Sequence, residues 1–497
     1  MPTAEIFAVD IRTRSAASKA TRDGRLRRIV QGTYTRDLST PLDVLVRTRL
    51  LEVVAAVRPG AVIADRSAVL GGSPTADNLL FVVHERRPDV VLPGGVTIRA
   101  RAGVGPLPHD VALPRGLWMS SEARCALENM VASRSRGGRT ARTLSRVELE
   151  RWLDRQVSSR GEDWARRLRD EIREIAPRLG LEPEAVALEQ LLGALLGTCE
   201  VVAASPELRA RMRGQAYDSG RIATLDRLLD QLLASAPPAS RPADSGRRST
   251  VVAFVEAYFS NFIEGTEFAF DQAAEIVYEG SEPAARPGDA HDIRGTFAIA
   301  NDPLEMRRRP ASGEDLIALL RQRHAMLLEG RPDKRPGELK QTANRAGGTL
   351  FVAPRLVRGT LLAGFERATQ LTDPFHRAAF TMFLVAEVHP FDDGNGRIAR
   401  LMMNAELVAA DQTRIIIPTV YRDNYLMALR GLTHNANAAS YIGMLDFAQR
   451  YTAQLDCTSI DSAHRELIQT NAFRNPAEAD ALGVRLLLPT QASGLAQ

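Results

Sequence analysis

The pattern of apolar and polar positions divides the chain into a mixed first part and a helical remainder. Short runs rich in β-branched residues occur at Leu79 to Val83, Val90 to Leu92 and Val96 to Arg99, and they predict strands. Helical periodicity dominates from Ser121 to Leu233 and again in most of the second half, where residues 347–354 are β-rich. The sequence therefore predicts a mainly α protein, a helical bundle with a short β-hairpin, preceded by an N-terminal α+β region.

Shifts in composition predict the segment boundaries. Residues 234–249 are rich in Pro, Ser and Ala, which is typical of a linker between folded regions. A chain of 497 residues has room for two or three domains. We predict, in order, a basic α+β region at 1–110, a helical region at 111–233, the linker at 234–249, a helical segment at 250–307, a second helical domain at 308–455, and a C-terminal helix with a tail at 456–497.

Most of the candidate chemistry lies in one stretch, His389 to Arg400, which reads His-Pro-Phe-Asp-Asp-Gly-Asn-Gly-Arg-Ile-Ala-Arg. Asp373-Pro374 predicts the start of a buried helix that ends at His389. A second helix starts near Gly394, so the Gly-Asn-Gly turn lies at a helix N-terminus, where free N–H groups and the helix dipole favour an anion. Arg397 and Arg400 are three positions apart, so they share one side of that helix.

These residue types fit phosphate chemistry. A hydroxyl is a poor nucleophile until a base takes its proton, and His389 has a pKa range suited to that near neutral pH. Asp393 is the carboxylate placed to bind the Mg²⁺ that normally accompanies a triphosphate. The glycine turn, Arg397 and Arg400 would meet the phosphates and the charge that grows on a leaving pyrophosphate. The simplest alternative, a capped helix with a solvated arginine face, explains neither the histidine nor the two glycines.

This stretch resembles the signature of the Fic family, most of whose members transfer AMP from ATP to a protein hydroxyl. By resemblance, His389 is the general base and Asp393 the Mg²⁺ ligand. Arg397 would contact the β-phosphate region and Arg400 the γ-phosphate. The phosphate-binding turn would consist of Gly394, Asn395 and Gly396. Tyr425 lies where the family often contacts adenine, although a core tyrosine fits the same position.

A second motif precedes the signature and reads Ser260-Asn-Phe-Ile-Glu264-Gly265. In a helix, Ser260 and Glu264 lie on one face because they are four residues apart. Alone, such a pair is most often part of a solvated helix face. Beside the signature it resembles the inhibitory motif of Fic proteins, which implies that Glu264 pairs with Arg400 and blocks productive placement of the γ-phosphate. We therefore expect a nearly silent enzyme as purified.

The β-rich stretch Gly347-Gly-Thr-Leu-Phe-Val-Ala-Pro354 predicts a hairpin or an extended loop. Fic proteins carry at this place a flap that aligns the target peptide by strand addition. The resemblance implies this role for four residues: Thr349, Leu350, Phe351 and Val352. An ordinary connecting hairpin is the alternative.

The N-terminal region carries a local excess of positive charge. Residues 1–60 hold 11 Lys or Arg against 6 Asp or Glu, and Arg25 to Arg36 predicts the end of a basic helix that leads into a strand. The Gln-Gly-Thr-Tyr segment inside it resembles the winged-helix region of antitoxin-type regulators, which implies DNA as a partner through residues 1–60. The alternative is a substrate-selecting or scaffolding domain with a solvated basic face.

Composition narrows the remaining choices. The net charge of +4 says little about partners by itself. Cys125, Cys199 and Cys457 are too far apart to predict a disulfide framework or a zinc site. No signal-peptide core opens the chain and no apolar run is long enough to cross a bilayer, so we expect a cytoplasmic protein without a membrane partner. The Fic resemblance also implies a homodimer as one assembly to test, because many Fic proteins form dimers.

Two classes of function stay open at this point. The first is a protein adenylyltransferase that uses ATP and Mg²⁺, modifies a Ser, Thr or Tyr hydroxyl of a target protein, and is inhibited by Glu264 through Arg400. The second is a DNA-binding regulator or toxin–antitoxin component whose Fic half senses or binds nucleotide. Transfer of label from α-labelled ATP to protein would favour the first class, and a salt-sensitive DNA gel shift without label would favour the second.

Overall fold

The computed structural model describes residues 6–9, 12, 14–86, 88–135, 137–243 and 247–495. The chain forms two compact units, which we call the N-terminal unit (Met1–Met212) and the C-terminal unit (Arg213–Gln497). The predicted mainly α fold with small sheets is confirmed. Within the predicted linker, residues 244–246 lie outside the described residues, as do residues 1–5 of the predicted basic region.

The N-terminal unit combines two small sheets with helices. Its strands are β1 (Ile6–Ala8), β2 (Arg27–Val30), β3 (Thr33–Thr35), β4 (Val62–Ile63), β5 (Leu79–Val83), β6 (Val90–Val91), β7 (Thr97–Arg101), β8 (Val111–Leu113) and β9 (Leu117–Met119). Its helices are α1 (Arg14–Arg22), α2 (Leu42–Thr48), α3 (Leu50–Val57), α4 (Asp65–Val69), α5 (Glu122–Glu128), α6 (Arg146–Arg160), α7 (Glu162–Leu179), α8 (Glu182–Leu195) and α9 (Pro206–Met212).

The larger sheet of this unit is mixed, with the strand order β6-β7-β5-β4-β9-β8. Strand β5 pairs with β7 in parallel, beginning with Leu79 opposite Thr97, whereas β4 pairs antiparallel with β5 and parallel with β9. Every residue of β5 is buried, as expected for a continuous apolar run inside a sheet whose two faces are covered. Val53 and Val54 of α3 belong to the core beside this sheet.

The predicted basic helix of the N-terminal unit ends earlier than expected. Helix α1 stops at Arg22, and the N–H of Arg25 bonds back to the carbonyl of Ala20 at 2.8 Å, a closure typical of a helix C-terminus. The chain then forms the antiparallel hairpin β2–β3, and β1 adds to it in the order β1-β3-β2. Residues 25–36 are therefore a turn and a hairpin. The winged-helix interpretation of the region stays a prediction.

The C-terminal unit is a bundle of helices with a short hairpin. Its helices are α10 (Ser219–Ala234), α11 (Arg247–Ile263), α12 (Phe270–Ala274), α13 (Pro287–Asn301), α14 (Pro303–Arg307), α15 (Gly313–Leu327), α16 (Pro354–Ala368), α17 (Pro374–Val388), α18 (Asn395–Val408), α19 (Arg422–Asn435), α20 (Ala438–Gln454), α21 (Ile460–Gln469), α22 (Pro476–Leu482) and α23 (Pro489–Leu495). The hairpin consists of β10 (Arg345–Ala346) and β11 (Thr349–Leu350), which pair antiparallel.

Helices α17 and α18 form the centre of the bundle. The Asp373 carboxylate caps α17 by accepting a hydrogen bond from the His376 N–H at 2.9 Å, and Pro374 follows at the first helical position. Nearly all residues of both helices are buried, because α17 packs against α16 and α10 while α18 packs against α14 and α11. The loop between Val388 and Asn395 therefore connects two central helices, and it carries the first part of the signature.

The predicted boundary at residue 233 lies one helix too late. Helix α10 belongs to the C-terminal unit, and its side chains Leu225 and Leu229 enter the core of the bundle. The described part of the predicted linker is attached to the same unit, since the Arg241 guanidinium donates to Asp446 at 2.6 Å and to Gln449 at 2.7 Å. The Pro- and Ser-rich composition therefore marks a connection between α10 and α11 inside one unit.

The predicted C-terminal tail is folded. Helices α21, α22 and α23 follow one another to residue 495, and Leu467 and Ala479 are buried in one core with Phe254 and Phe259 of α11. Short helices such as these are marginal alone and gain their stability from tertiary packing. The sequence pattern after residue 475 did not indicate that packing.

Candidate active site

His389 ends α17 and leaves one ring nitrogen free. Its backbone has a φ of 53° and a ψ of 61°, a left-handed conformation that turns the chain sharply after the helix. Nδ1 lies 3.3 Å from the Ala386 carbonyl. Because a carbonyl only accepts, Nδ1 carries the proton and Nε2 is the acceptor. Burial lowers the pKa of His389 to about 4, so the imidazole is neutral at pH 7 and able to take a proton from a hydroxyl.

The turn after His389 is fixed by the side chain of Asn395. Its amide oxygen accepts from the Phe391 N–H at 2.8 Å, and its amide nitrogen donates to the Phe391 carbonyl at 2.9 Å. Gly394 has a φ of 72° and directly precedes α18, a conformation that glycine adopts without strain. The glycine turn thus lies at the N-terminus of α18, where the first N–H groups have no partner within the helix and favour an anion.

Arg400 is enclosed by the residues at the end of α11. Its Nε donates to Ser260 Oγ at 3.0 Å, and its Nη2 donates to the Ser260 carbonyl at 2.8 Å and to Glu264 Oε1 at 2.7 Å. Nη1 lies 3.3 Å from the hydroxyl oxygen of Tyr425, which is buried. Gly265 follows in the turn that closes α11. All three guanidinium nitrogens are therefore engaged. Ser260 and Glu264, which share one face as their spacing predicts, both contact this arginine.

The Glu264 carboxylate also covers the glycine turn. A Cβ atom added to Gly396 would lie 2.1 Å from Oε1 of Glu264, which is too close for any residue other than glycine unless the carboxylate moved. The carboxylate therefore occupies the place where the N-terminus of α18 meets the Arg400 guanidinium. Such a place suits a phosphate oxygen, and here it holds a carboxylate of the protein itself.

Arg397 is held by two residues that the sequence analysis did not single out. Its Nη1 donates to Asp292 Oδ2 at 2.6 Å and to Asn261 Oδ1 at 3.3 Å. Arg397 and Asp292 are both buried, and within the described part of the chain Arg397 Nε and Asp292 Oδ1 have no hydrogen-bond partner. Asn261 directly follows Ser260, so one segment contacts both signature arginines. The position of Asn261 inside the second motif could have marked it as a site residue. Nothing in the sequence marked Asp292.

Asp393 is a partly exposed carboxylate beside the N-terminus of α18. Its Oδ1 accepts from the Gly394 N–H at 2.7 Å, and Lys334 Nζ lies 3.6 Å from Oδ2. Burial opposes ionisation, but this N–H and the charges of Arg397, Lys334 and Arg331 outweigh it, so the pKa of Asp393 is lowered. An accessible, ionised carboxylate fits a Mg²⁺ that also binds nucleotide phosphates. Among the described residues no group of three His, Cys, Asp or Glu could hold a metal alone.

Two of the four predicted flap residues, Thr349 and Leu350, lie on the outer side of the hairpin, away from the core. Leu350 is 61% exposed, and Thr349 Oγ1 lies 2.9 Å from His434 Nε2. Phe351 instead turns inward, and its ring stacks on His389. Val352 is fully buried in the core of the bundle, so a role in aligning a target does not fit its position. The chain has already re-entered the core before α16 begins.

Two further buried residues hold the loop that carries the signature. Lys340 Nζ donates to the Val388 carbonyl at 3.3 Å. His324 Nδ1 accepts from the Gly337 N–H at 2.9 Å, so its Nε2 carries the proton and donates to the Asp393 carbonyl at 3.1 Å. Burial lowers the pKa of Lys340 to about 8 and that of His324 to about 4. Both residues lie outside the motifs, and no sequence pattern marked them.

The geometry combines a helix N-terminus that suits an anion with a neutral histidine that can accept a proton. Residues 316–407 match the model of the Fic/DOC family, and this match contains α17, the signature loop and most of α18. This part of the chain is therefore similar to a Fic domain. None of the helices that the structure describes is long and apolar enough to span a membrane.

Several known proteins resemble the chain. Protein adenylyltransferase fic-1 of Caenorhabditis briggsae is 27% identical over 216 residues, 42% of this chain and 40% of that protein. Protein adenylyltransferase Fic of Nematostella vectensis is 26% identical over 239 residues, 46% of this chain and 53% of that protein. A solved Fic-domain-containing signalling protein of Bacteroides thetaiotaomicron has 21% identity and a TM-score of 0.36, covering 49% of this chain and 97% of that one. The chain thus spans about half or less of the length of these curated relatives.

Proposed function

We propose that the chain is a protein adenylyltransferase that Glu264 holds in an inhibited state. One observation carries the proposal: the Glu264 carboxylate contacts Arg400 at 2.7 Å and lies over the backbone of Gly396. A built-in anion at that place is explained if the place otherwise binds a phosphate. The neutral His389 beside it supports a reaction in which a hydroxyl loses its proton. The curated adenylyltransferases that resemble the chain support the same activity.

In the proposed reaction, ATP binds with its phosphates at the N-terminus of α18. The hydroxyl oxygen of a target Ser, Thr or Tyr attacks the α-phosphorus while Nε2 of His389 takes the hydroxyl proton. The bond between the α-phosphorus and the α,β-bridging oxygen breaks, so pyrophosphate leaves and AMP stays on the target as a phosphodiester. The N–H groups of the turn, Arg397 and Arg400 would stabilise the charge on the leaving group.

Asp393 is the residue that we propose as a Mg²⁺ ligand. Its lowered pKa and its exposed side chain support this assignment. When bound, Mg²⁺ would neutralise part of the phosphate charge and help to orient the nucleotide.

We further propose that inhibition arises from competition for Arg400. Ser260 and Glu264 occupy Nε and Nη2 of Arg400, and Tyr425 lies against Nη1, so no nitrogen is left for a γ-phosphate. ATP would then bind in a pose that does not present the α-phosphorus in line with the attacking hydroxyl. Misplacement by about 1 Å can cost roughly 10²-fold in rate without any change to a catalytic group.

Incubation with α-labelled ATP and Mg²⁺ tests this proposal. We expect weak labelling by the parent chain and at least about tenfold more by Glu264→Gly, because the competitor for Arg400 is gone. Adding Arg400→Ala to Glu264→Gly should remove the gain. Adding His389→Ala should lower labelling by roughly 10²–10⁴-fold while ATP binding persists. Asp393→Ala should weaken the dependence on Mg²⁺.

Two outcomes would contradict the proposal. Equal labelling by the parent and Glu264→Gly, in an assay where His389→Ala is dead, would mean that the second motif is only a helix end. Absence of protein label in every variant, with ATP bound, would favour the alternative of a nucleotide-sensing regulator.

The remaining partners are also proposals. The target is a protein with a hydroxyl side chain, and DNA through residues 1–60 and a homodimer stay predictions. The exposed basic residues of the N-terminal unit, among them Arg25 and Arg28, support a test of DNA binding.

A further inference from the structure

The aromatic ring of Phe351 lies face to face with the imidazole of His389. The two ring centroids are 3.8 Å apart, and the planes differ by 5°. The preceding residue, Leu350, points the other way and is 61% exposed. Adjacent residues at the end of β11 thus face opposite sides, and one of them covers a face of the candidate base.

The segment that carries Phe351 is attached to the loop around His389. We call residues 340–351, which contain the hairpin, the strap. At its start, the N–H of Lys340 donates to the Pro390 carbonyl at 2.9 Å, and the Asn344 amide donates to the Phe391 carbonyl at 2.9 Å. At its end, the N–H of Phe351 donates to the Asn344 carbonyl at 3.2 Å. The strap is therefore bonded to the residues that immediately follow His389.

His389 has little else to fix its ring. The one side-chain hydrogen bond that the described structure gives His389 joins Nδ1 to the Ala386 carbonyl, and at 3.3 Å this bond is long. A single long bond sets the tautomer but constrains the ring plane weakly. A flat ring stacked in parallel constrains the plane and also removes water from that face.

We infer that Phe351 is a positioning residue for His389, which holds the imidazole plane so that Nε2 faces the reacting hydroxyl. The strap would then orient the base with the same hairpin that receives the target, so that target alignment and base alignment are one event. This inference deepens the proposed transferase function and rests on it. It also separates two neighbouring residues by role, because Leu350 would contact the target and Phe351 the base.

The His389 titration in the full-length chain tests the inference without any need for activity. NMR of ¹³C-labelled histidine follows the ring, and His389→Gln identifies its resonance. Burial lowers the pKa of His389 to about 4 in the parent. Phe351→Ala would admit water to one face, and since water favours the charged form, we expect the pKa to rise by at least about one pH unit toward about 6.5.

Matched variants separate stacking from other causes. Leu350→Ala changes the adjacent exposed side chain and should leave the titration unchanged, while Phe351→Tyr keeps a flat ring and should preserve it. Lys340, on the strap, and Glu264 and Asp393, on neighbouring segments, also act on His389 through their charges. None of these three residues is altered in the variants, so a rise in Phe351→Ala reports on the ring.

Transfer kinetics in the Glu264→Gly background give a second readout. Phe351→Ala should lower kcat about tenfold with little change in the KM for the target, since a misoriented base affects the chemical step. Leu350→Ala should mainly raise that KM. A Phe351→Ala titration within about 0.3 pH units of the parent, or an equal rise in Leu350→Ala, would overturn the inference. If no variant transfers label, the proposed function fails while the titration still decides the role of Phe351.

Discussion

Each unit contains a buried arginine, and the two arginines differ in how fully they are paired. In the N-terminal unit, Arg124 donates to Asp110 at 2.6 Å, to Glu128 at 3.0 Å and to two backbone carbonyls, so all three of its nitrogens are satisfied. In the C-terminal unit, Arg397 pairs with Asp292, yet its Nε has no partner among the described residues.

This difference distinguishes a structural ion pair from a candidate binding group. Buried polar atoms are almost always paired, because an unmade hydrogen bond costs about 1–3 kcal/mol. Every nitrogen of the Arg124 guanidinium already has an acceptor, so this arginine offers no unpaired donor nitrogen to an anionic ligand. The unpaired Nε donor of Arg397 is a group that a phosphate oxygen could satisfy, and Arg397 lies in the first turn of the helix whose N-terminus favours an anion.

The largest effect is expected from Arg397→Met. Removal of one preorganised group that stabilises developing charge typically costs about 10²–10³ in rate, so label transfer in the Glu264→Gly background should fall by that factor. Loss of the buried partner of Asp292 should also lower the free energy of unfolding by roughly 3–5 kcal/mol. Asp292→Leu added to Arg397→Met should recover most of the stability, because an apolar pair of similar size is often neutral, but it should recover none of the transfer. Recovery of transfer would make Arg397 a purely structural residue.

Arg124→Met is the matched change in the other unit. It removes the buried arginine from Asp110 and Glu128, although Glu128 keeps Arg101 at 2.8 Å and Asp110 keeps two backbone N–H donors. We therefore expect a loss at or below the lower end of roughly 3–5 kcal/mol in unfolding free energy. Label transfer per folded molecule should stay unchanged, since every atom of Arg124 is used inside its own unit. Denaturant unfolding monitored by hydrogen exchange would show which unit loses stability. A drop in label transfer per folded molecule would show that Arg124 is not a purely structural residue.

Acidification should separate the two units as well. In the C-terminal unit, burial lowers the pKa of His324 and His389 to about 4 and also lowers that of His376. The folded unit therefore binds fewer protons than the unfolded chain between about pH 6.5 and 4, and its stability falls as the pH falls through that window. From pH 6.5 to 5 each of the first two histidines contributes roughly 2 kcal/mol.

In the N-terminal unit, the side chain of Glu174 raises the pKa of His109, so that histidine acts in the opposite direction. Its contribution is present below pH 6.5 and is lost as the pH rises through the raised value. Calorimetry at pH 7.5 and 5, with hydrogen exchange to assign the transitions, should show that the C-terminal unit loses more stability in acid. Equal losses in both units would contradict this account.

The sequence predicted those parts of the site that depend on local geometry. The pairing of Glu264 with Arg400, which the structure contains, was implied by the Fic resemblance. The candidate base, the glycine turn and both arginines are contiguous in His389 to Arg400, and the four-residue spacing of Ser260 and Glu264 predicted that both lie on one face of a helix. Such relations follow from helix periodicity and need no knowledge of the fold. The same reasoning placed the N-cap at Asp373 and the hairpin near residue 347.

The rest depends on contacts between distant segments. Asp292 and Arg397 are 105 positions apart, and Lys340 reaches the Val388 carbonyl across 48 positions. No periodicity links such residues. For the same reason the region around α10 was assigned to the wrong side of a boundary, and the C-terminal helices were interpreted as a tail, because their burial is decided by tertiary packing.

The smallest expected effect is a change in the salt dependence of DNA binding by the N-terminal unit. If the basic side chains near α1 and β2 neutralise about five phosphates, the logarithm of the affinity should fall with the logarithm of salt concentration at a slope of roughly −4.5. Arg25→Glu with Arg28→Glu should weaken binding of the full chain to duplex DNA and flatten that slope, because both changes remove contacts from the same segment.

Arg166→Glu on α7, an exposed arginine outside the segment, is the matched control and should change the slope little. Fluorescence anisotropy at several salt concentrations measures both quantities. Equal slopes for the parent and the double variant would leave a solvated basic face as the interpretation of the N-terminal region.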